Sequence, residues 1–404
     1  MAKDDAREAA VRDEIRKLEE GGPPKYRDAL KEEGKLFVRD RLRLYFPGGL
    51  AYEDGLFANN RNPELPADGM VTGVGQLDGR SVFVMANDYT VKAGSMAEKG
   101  VEKFLRVQER ALRARKPILY LVDSSGARIT DQAGFFANLR GIGKYFYNHS
   151  VLSGVVPQIA VLYGPCVAGA AYTPVFCDVT IMVRGMSAMC IASPRMVEMV
   201  TGEKVDMQQL GGAEVHALES GSCHLIAENE EDAARLAWRV LSYLPDSCDA
   251  PPPRYEAREP ARSPGEIAAL VPADPNAPFD MHDLIACVVD EGSLLELGPD
   301  YAPELITAWA RLGGRVVGIV ANNSRHKAGA IFPESADKAA EFILKCDAFS
   351  VPLLYLCDTP GFMVGLDVEK QGILKRGKKF IYATSTATVP KISVVVRKAY
   401  GAGL

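Results

Sequence analysis

The chain has 404 residues, a formal net charge of −5 at pH 7 and 47% hydrophobic residues. This length exceeds the usual size of one hydrophobic core, so two domains are expected. The acidic balance excludes the basic surface typical of nucleic-acid binding, and no apolar run reaches the roughly 18 to 20 residues that span a bilayer.

The amino terminus and the cysteines predict a cytoplasmic protein, or one of the mitochondrial matrix if the source is a eukaryote. The segment MAKDDAREAAVRDEIRKLEE lacks the apolar core of a signal peptide and is too acidic for a transit peptide. The eight cysteines form no CxxC pair, which is typical of buried thiols in a reducing compartment.

The chain begins with helical patterns and continues, from residue 70, as alternating strands and helices. Residues 1–20 predict a charged helix, and residues 34–46 predict a basic amphipathic helix at the surface. Repeated strand–helix units are typical of an α/β fold with right-handed crossovers. Strands are expected at 71–77, 80–88, 118–122, 179–183, 189–193 and 223–227, and helices at 96–116 and 231–244.

A proline-rich run divides the chain. Residues 249–264, DAPPPRYEAREPARSP, are dense in proline and charge, as domain linkers are. We therefore predict an N-terminal domain at 1–248 and a C-terminal domain at 265–404.

Three segments of the first half recur in the second half. KPILYLVDSSG returns as VPLLYLCDTPG, with an offset of 235 residues between Asp123 and Asp358. GRSVFVMANDYTVKAG returns at the same offset as GRVVGIVANNSRHKAG, and VVPQIAVLYGPCVAGA returns at an offset of 233 as TVPKISVVVRKAYGAG. A constant register over three segments indicates an internal duplication.

The duplication also predicts that the second domain is truncated. Roughly 75 residues separate the AGAA turn from the end of the first domain, whereas one residue follows the corresponding GAG turn. We expect about a hundred residues to be missing, including the helix after Gly403.

Two strand-to-helix turns, within 117–127 and 157–171, are candidate anion sites. Their small residues allow close approach to the backbone, and amides at the start of a helix have no intrahelical partner. The five histidines show no HExxH or paired-ligand spacing, and no GxSxG or complete Walker motif occurs. Backbone anion sites without a side-chain acid, base or metal suit a reaction whose proton acceptor arrives with a substrate.

The chain contains five long motifs: DSSGARI, GPCVAGAAYTP, TGEKVDMQQLGGAEVHALESGSCH, DTPGFMVG and RKAYGAG. They resemble the carboxyltransferase (β) subunits of biotin-dependent acyl-CoA carboxylases of the propionyl-CoA and methylcrotonyl-CoA type, and the resemblance runs from Gly34 to the end of the chain. It implies two tandem crotonase-like domains, each a β-β-α superhelix. It also implies a homohexamer whose active site joins the first domain of one subunit to the second domain of its neighbour.

The resemblance further implies how the reaction is divided between the halves. The thioester oxygen of acyl-CoA would be held by the amides of Ala168 and Gly169, and the ureido oxygen of carboxybiotin by the turn of Gly401, Ala402 and Gly403. Biotin itself would remove the α-proton. Because the chain has no biotin attachment motif and no ATP-binding region, biotin carboxylase and the biotin carboxyl carrier are expected as partners, without a metal, nucleic acid or membrane. Further substrate contacts are expected at Ser125, Gly126, Ala127, Gly361 and Phe362.

Two departures from the propionyl-CoA pattern keep alternatives open. The turn at 166–171 reads CVAGAA rather than CAGGA, and Ala168 would be strained there if its φ angle were positive. Ser125 stands where glycine is usual. GFMVG and YGAG resemble methylcrotonyl-CoA members, whereas residues around 367–382 resemble the α subunit of glutaconyl-CoA decarboxylase. A biotin-dependent decarboxylase and a non-catalytic scaffold subunit are therefore the alternative functions.

Overall fold

Three helices precede the first sheet. The computed structural model describes residues 2–136 and 139–401. In it α1 spans Ala2–Glu19, α2 spans Pro24–Glu32 and α3 spans Val38–Tyr45.

The third helix is the amphipathic helix that the sequence predicted, and it buries Leu42 on its apolar side, while Arg43 is exposed. It is buried more deeply than a surface helix, because Arg41 is buried as well, as is Lys35 just before the helix. A basic amphipathic pattern usually keeps its cations in water, so the burial of these two cations is the part that the sequence did not predict. The short helix α2 was not predicted at all.

The chain packs as two compact units. The first comprises the chain up to His216 together with Leu225–Arg239, and the second comprises Ala217–His224 together with the chain from Val240. The proline-rich run belongs to the second unit, where Arg254 and Arg315 form an antiparallel β-bridge. The domain limits at 248 and 265 stay a prediction.

The first unit is built on an eight-stranded mixed sheet in the order β1-β2-β3-β4-β5-β6-β8, with β7 paired to β5. The pairs β1–β2 and β2–β3 are antiparallel and the others are parallel. Its strands are β1 Leu50–Asp54, β2 Met70–Leu77, β3 Arg80–Asn87, β4 Ile118–Ser124, β5 Gln158–Val167, β6 Val179–Val183, β7 Ala188–Cys190 and β8 Leu225–Ala227. Its further helices are α4 Glu98–Ala114, α5 Ile142–Leu152, α6 Tyr172–Phe176, α7 Pro194–Thr201, α8 Met207–Gly211, α9 Ala213–Val215 and α10 Glu230–Leu241, which ends in the second unit.

The second unit is built on a five-stranded sheet in the order β13-β12-β11-β10-β9. The pairs among β9, β10 and β11 are antiparallel, and β11, β12 and β13 run parallel. Its strands are β9 Leu295–Glu296, β10 Leu305–Leu312, β11 Arg315–Asn322, β12 Leu353–Thr359 and β13 Lys391–Ala399. Its helices are α11 Ile267–Leu270, α12 Met281–Ile285, α13 Pro333–Ala348, α14 Leu366–Lys370 and α15 Ile373–Thr386.

The central parallel strands form the core of the first unit. The side chains of β4 and β6 are buried along the whole length of each strand, and most of β5 is buried as well. Such strands are covered on both faces, which explains why their sequences are almost continuously apolar. The predicted mixed α/β class is confirmed.

The repeat extends to individual hydrogen bonds. Strands β2, β3 and β4 correspond to β10, β11 and β12 at the offset of 235 residues. Lys103 of α4 is buried and donates to the carbonyls of Met70 and Ala67; its counterpart Lys338 donates to Leu305, which corresponds to Met70, and to Tyr301, one residue before the counterpart of Ala67. Burial lowers the pKa of both lysines to about 8.

Within the described residues, no helix combines the length and the apolar character needed to cross a bilayer.

Candidate active site

The turn after β5 presents backbone to solvent. Ala168 is exposed and Gly169 is half-buried, and both lie in a short 3₁₀ turn that leads into α6. A Cβ atom built on Gly169 would meet no described atom within 4 Å. The backbone here is therefore open to a ligand.

Ala168 adopts a left-handed backbone conformation with a φ angle of 59°. This is the strained alternative that the sequence raised, because an alanine in this region costs roughly 1–2 kcal/mol relative to the right-handed conformation. At the offset of 233 residues its counterpart is Gly401, whose φ angle is 62°. Gly401 is also exposed, and a Cβ built on it would meet no described atom within 4 Å.

The predicted carboxybiotin turn is described only in part. Ala402 and Gly403 lie outside the described residues. Gly401 follows β13, just as Ala168 follows β5, so the described residue is the one that corresponds to Ala168.

The turn that follows β4 uses its amides within the fold. The amide of Ser125 donates to the carbonyl of Ala93, 3.0 Å away, and the amide of Gly126 donates to Ser124 Oγ, 3.1 Å away. Ala127 forms a parallel bridge with Met96. The roles of Ser125, Gly126 and Ala127 as substrate contacts stay a prediction. The Ser125 and Gly126 amides could bind an anion only if they gave up these hydrogen bonds within the fold.

The turn after β12 repeats this arrangement. The amide of Gly361 donates to Thr359 Oγ1, 3.0 Å away, and Phe362 forms a parallel bridge with Ile331. Gly361 is buried and Phe362 is half-buried. The role of both residues in substrate binding stays a prediction.

In each half, the turn after one strand touches the end of the next strand. A Cβ built on Gly126 would lie 3.0 Å from the Val167 carbonyl oxygen, and one built on Gly361 would lie 2.8 Å from the Tyr400 carbonyl oxygen. Both glycines have positive φ, 97° and 103°. A side chain at either position would push the turn away from the residue that precedes Ala168 or Gly401.

A buried charge cluster lies under the turns of the first half. Asp123 is completely buried and pairs with Lys35, while Arg41 is held by both carboxylate oxygens of Glu230. Burial raises the pKa of Asp123, and Lys35 and Arg41 oppose that shift. The sequence analysis did not predict this cluster. The available signal was that the GKLFVRDRL segment has two cations, Lys35 and Arg41, on its apolar side, where a buried cation needs an acidic partner.

The buried histidine of α5, His149, lies among aromatic rings. Burial lowers the pKa of His149 to about 4, and its ring lies among Tyr120, Tyr145 and Phe176. In the part of the chain that the structure describes, no group of three or more His, Cys, Asp or Glu side chains could hold a metal ion.

Comparison with known proteins decides the family. Residues 30–404 match the carboxyl transferase domain family. The chain belongs to that family. One protein that it resembles is an uncharacterized carboxylase, YngE, of Bacillus subtilis, which is 52% identical over 388 residues, 96% of this chain and 76% of that protein.

Other relatives of this carboxyltransferase are similar over most of their length. The carboxyltransferase subunit of propionyl-CoA carboxylase of Haloferax mediterranei is 41% identical over 92% of this chain and 73% of that protein. The α subunit of methylmalonyl-CoA decarboxylase of Veillonella parvula is 39% identical over 97% of this chain and 78% of that protein. The crystal structure of transcarboxylase 12S, a hexamer with methylmalonyl-CoA bound, matches with a TM-score of 0.94 and 39% identity over 98% of this chain and 79% of that one.

These findings confirm the predicted function at the level of the family. The protein is a carboxyltransferase subunit of a biotin-dependent acyl-CoA carboxylase, and its fold matches that of transcarboxylase 12S. The methylcrotonyl-CoA specificity that GFMVG suggested is not shown.

Proposed function

We propose that this carboxyltransferase transfers a carboxyl group from biotin on a separate carrier protein to a short-chain acyl-CoA, at the α carbon or at a vinylogous γ carbon. The observation that carries the proposal is the shared left-handed conformation of Ala168 and Gly401. A left-handed conformation that recurs at one position of both repeats, in exposed turns, and that strains the alanine of the first repeat supports a role of these turns in binding.

The first turn is assigned to the acyl-CoA. The amides of Ala168 and Gly169 donate to the thioester oxygen, where negative charge develops as the α-proton leaves. Fixed amides stabilise this charge without reorganising, and removal of one such donor typically costs roughly 100- to 1,000-fold in kcat. The open backbone at Gly169 fits a thioester that approaches closely.

The second turn is assigned to biotin, with the ureido oxygen held by Gly401, Ala402 and Gly403. Gly401 is exposed, and a Cβ built on it would meet no described atom within 4 Å, which supports access of a ligand to its backbone. Carboxybiotin supplies the carboxyl group and the base for the α-proton when it is bound. This chain's part is to bind and orient the two reactants and to stabilise charge.

The proposed assembly is a homohexamer that works with biotin carboxylase and a biotin carboxyl carrier. Support comes from transcarboxylase 12S, whose structure is a hexamer. Ser125, Gly126, Ala127, Gly361 and Phe362 are proposed to shape the substrate site through the turns that they form.

A second candidate function is the reverse reaction, decarboxylation of an acyl-CoA onto biotin. The similarity to the α subunit of methylmalonyl-CoA decarboxylase favours it. Both directions use the same two turns, because the transition state is the same in either direction.

The test is a reconstituted assay of the full-length protein with biotin carboxylase, carrier protein, ATP and bicarbonate. Acetyl-, propionyl-, butyryl- and methylcrotonyl-CoA are supplied separately, and carboxylated products are measured by mass spectrometry. Carboxylation of at least one of them is expected, and methylmalonyl-CoA with free biotin measures the reverse direction. Assembly of the complex without turnover in either direction would support the scaffold alternative.

A matched pair of variants separates the site from the fold. Gly401→Val adds a β-branched side chain at a left-handed position, and we expect a loss of roughly 100-fold in kcat. Gly313→Val is the control, because Gly313 has a φ angle of 60° and an equally open Cβ position but lies in the β10–β11 hairpin. Equal activity of the two variants would contradict the assignment.

A further inference from the structure

Two buried aspartates occupy equivalent positions in the halves of the chain. Asp123 lies in β4 and Asp358 lies in β12, and both are fully buried. At each aspartate the pairing with the neighbouring parallel strand shifts register, before Ser124 in one half and before Thr359 in the other. Because a buried carboxylate is costly without a cation, each one requires a partner.

The two halves supply that cation in different ways. Asp358 is bound by Arg397 of the adjacent strand β13, with Nε 3.2 Å from Oδ1 and Nη2 2.9 Å from Oδ2. Asp123 is bound by Lys35, whose Nζ lies 3.0 Å from Oδ1 and 2.8 Å from Oδ2, and Arg41 Nη1 lies further away, 3.7 Å from Oδ2. Lys35 comes from the segment before α3, which is outside the repeated unit.

A glycine makes room for the external lysine. At the offset of 233 residues, the position of Arg397 is taken in the first half by Gly164 of β5. A Cβ built on Gly164 would lie 2.0 Å from Asp123 Oδ1 and 2.8 Å from Lys35 Nζ. The carboxylate and the ammonium group therefore fill the space that a side chain at position 164 would need.

The ion pair lies near the carboxyl ends of β4 and β5, just before the turn that contains Gly126 and the turn that contains Ala168. After Asp123, the chain turns through Gly126, which packs against the Val167 carbonyl. Val167 ends β5 and precedes Ala168. A shift at Asp123 would thus reach Ala168 through one backbone contact.

We propose that Lys35 is a positioning residue for the first turn: its ion pair with Asp123 holds the ends of β4 and β5 so that the Ala168 and Gly169 amides meet the acyl-CoA oxygen. This inference rests on the proposed function. The amino-terminal segment thereby supplies the cation that Arg397 supplies within the second repeat. A misplacement of about 1 Å in such a site typically costs about 100-fold in rate.

The experiment compares Lys35→Met and Lys35→Arg in the reconstituted complex with the acyl-CoA that the wild type carboxylates. Lys35→Met is expected to lower kcat roughly 100-fold, while the dissociation constant of the acyl-CoA, measured by calorimetry, changes less than about threefold. Lys35→Arg is expected to recover kcat to within about tenfold of the wild type, because it restores the cation. The control is Lys103→Met, which removes another buried lysine of the same unit, one whose ammonium group is bonded to the Ala67 and Met70 carbonyls and not to Asp123. Equal kcat values for Lys35→Met and Lys103→Met would overturn the proposal.

A double variant covers the case in which Lys35→Met does not fold. Lys35→Met with Asp123→Asn removes both charges, so no unpaired ion is left buried. We expect this protein to fold and still to have a kcat at least about tenfold below the wild type, since the tie between the segments is absent. Wild-type kcat in the double variant would overturn the positioning role. A wild type without any acyl-CoA activity would instead overturn the proposed function, and the positioning role with it.

Discussion

Ala168 and Gly401 share one left-handed backbone conformation, with φ angles of 59° and 62° at equivalent positions of the two halves. A glycine adopts this conformation at no steric cost, whereas alanine is strained there. The first half keeps the left-handed conformation although alanine disfavours it, which indicates that the fold maintains the conformation of this turn.

Replacing Ala168 with glycine should therefore stabilise the protein. We expect Ala168→Gly to raise the apparent free energy of unfolding by roughly 1 kcal/mol, because the relief of strain exceeds the added backbone entropy of the unfolded chain. The measurement is urea denaturation followed by fluorescence. Ala170→Gly is the control in the same turn: Ala170 is buried without a positive φ, so this change should destabilise by roughly 0.5–1 kcal/mol. A loss of stability in both variants would show that Ala168 is not strained.

A methyl group at position 164 should disrupt the ion pair beneath the first turn. We expect Gly164→Ala to lower the free energy of unfolding by roughly 3 kcal/mol or more, because the added methyl group overpacks the core and separates a buried ion pair. Gly169→Ala should change stability by less than about 0.5 kcal/mol, because its Cβ position is open. The measurement is the melting temperature of each variant in thermal unfolding. Similar melting temperatures for Gly164→Ala and Gly169→Ala would contradict this account of Gly164.

The buried Arg41–Glu230 pair should contribute far more to the free energy of unfolding than an exposed ion pair does. Glu230 is buried and also accepts the Leu36 amide, so Glu230→Gln leaves a buried guanidinium poorly paired and should cost roughly 3 kcal/mol. Glu214 pairs with Arg184 at the surface, and Glu214→Gln should cost less than about 1 kcal/mol. Equal losses in denaturant titrations would argue against a structural role for the cluster.

His282 should make stability depend on pH in the alkaline range. Its ring lies between Glu296 and Asp280, with both N–O distances 2.7 Å, and the hydrogen bond to Glu296 above all raises its pKa from 6.5 to about 9. Because the folded state binds this proton more tightly, the stabilisation is complete below pH 6.5 and is lost as the pH rises to about 9.

The melting temperature of the wild type is therefore expected to fall between pH 6.5 and 9 more steeply than that of His282→Gln. Scanning fluorimetry at several pH values measures this. His326→Gln replaces an exposed histidine and should retain the wild-type slope. Parallel curves for the wild type and His282→Gln would refute the assignment.

The sequence predicted the architecture well where a repeated pattern was present. The offset of 235 residues between Asp123 and Asp358 led directly to the equivalence of β4 and β12, and the continuous apolar runs predicted the central strands. Ala168 was identified as the critical position of the first turn, but its φ angle depends on how the turn packs and could not be read from residue types.

What the sequence could not provide was the partner of each buried charge. Lys35 and Asp123 are 88 residues apart and meet only through tertiary packing. The pattern around Lys35 was that of a surface helix, and nothing local distinguishes a cation in water from one in a core. Gly164 was a hint, since it stands where the second repeat has Arg397, but its meaning needed the distance to Asp123.

The most direct test of the two-turn account is a cryo-EM structure of the full-length protein with acyl-CoA bound. The account predicts that the thioester oxygen lies within about 3.2 Å of the amide nitrogen of Ala168 or Gly169, with Ala168 still at positive φ. A thioester oxygen held by a side chain elsewhere, with those amides bonded within the protein, would contradict it.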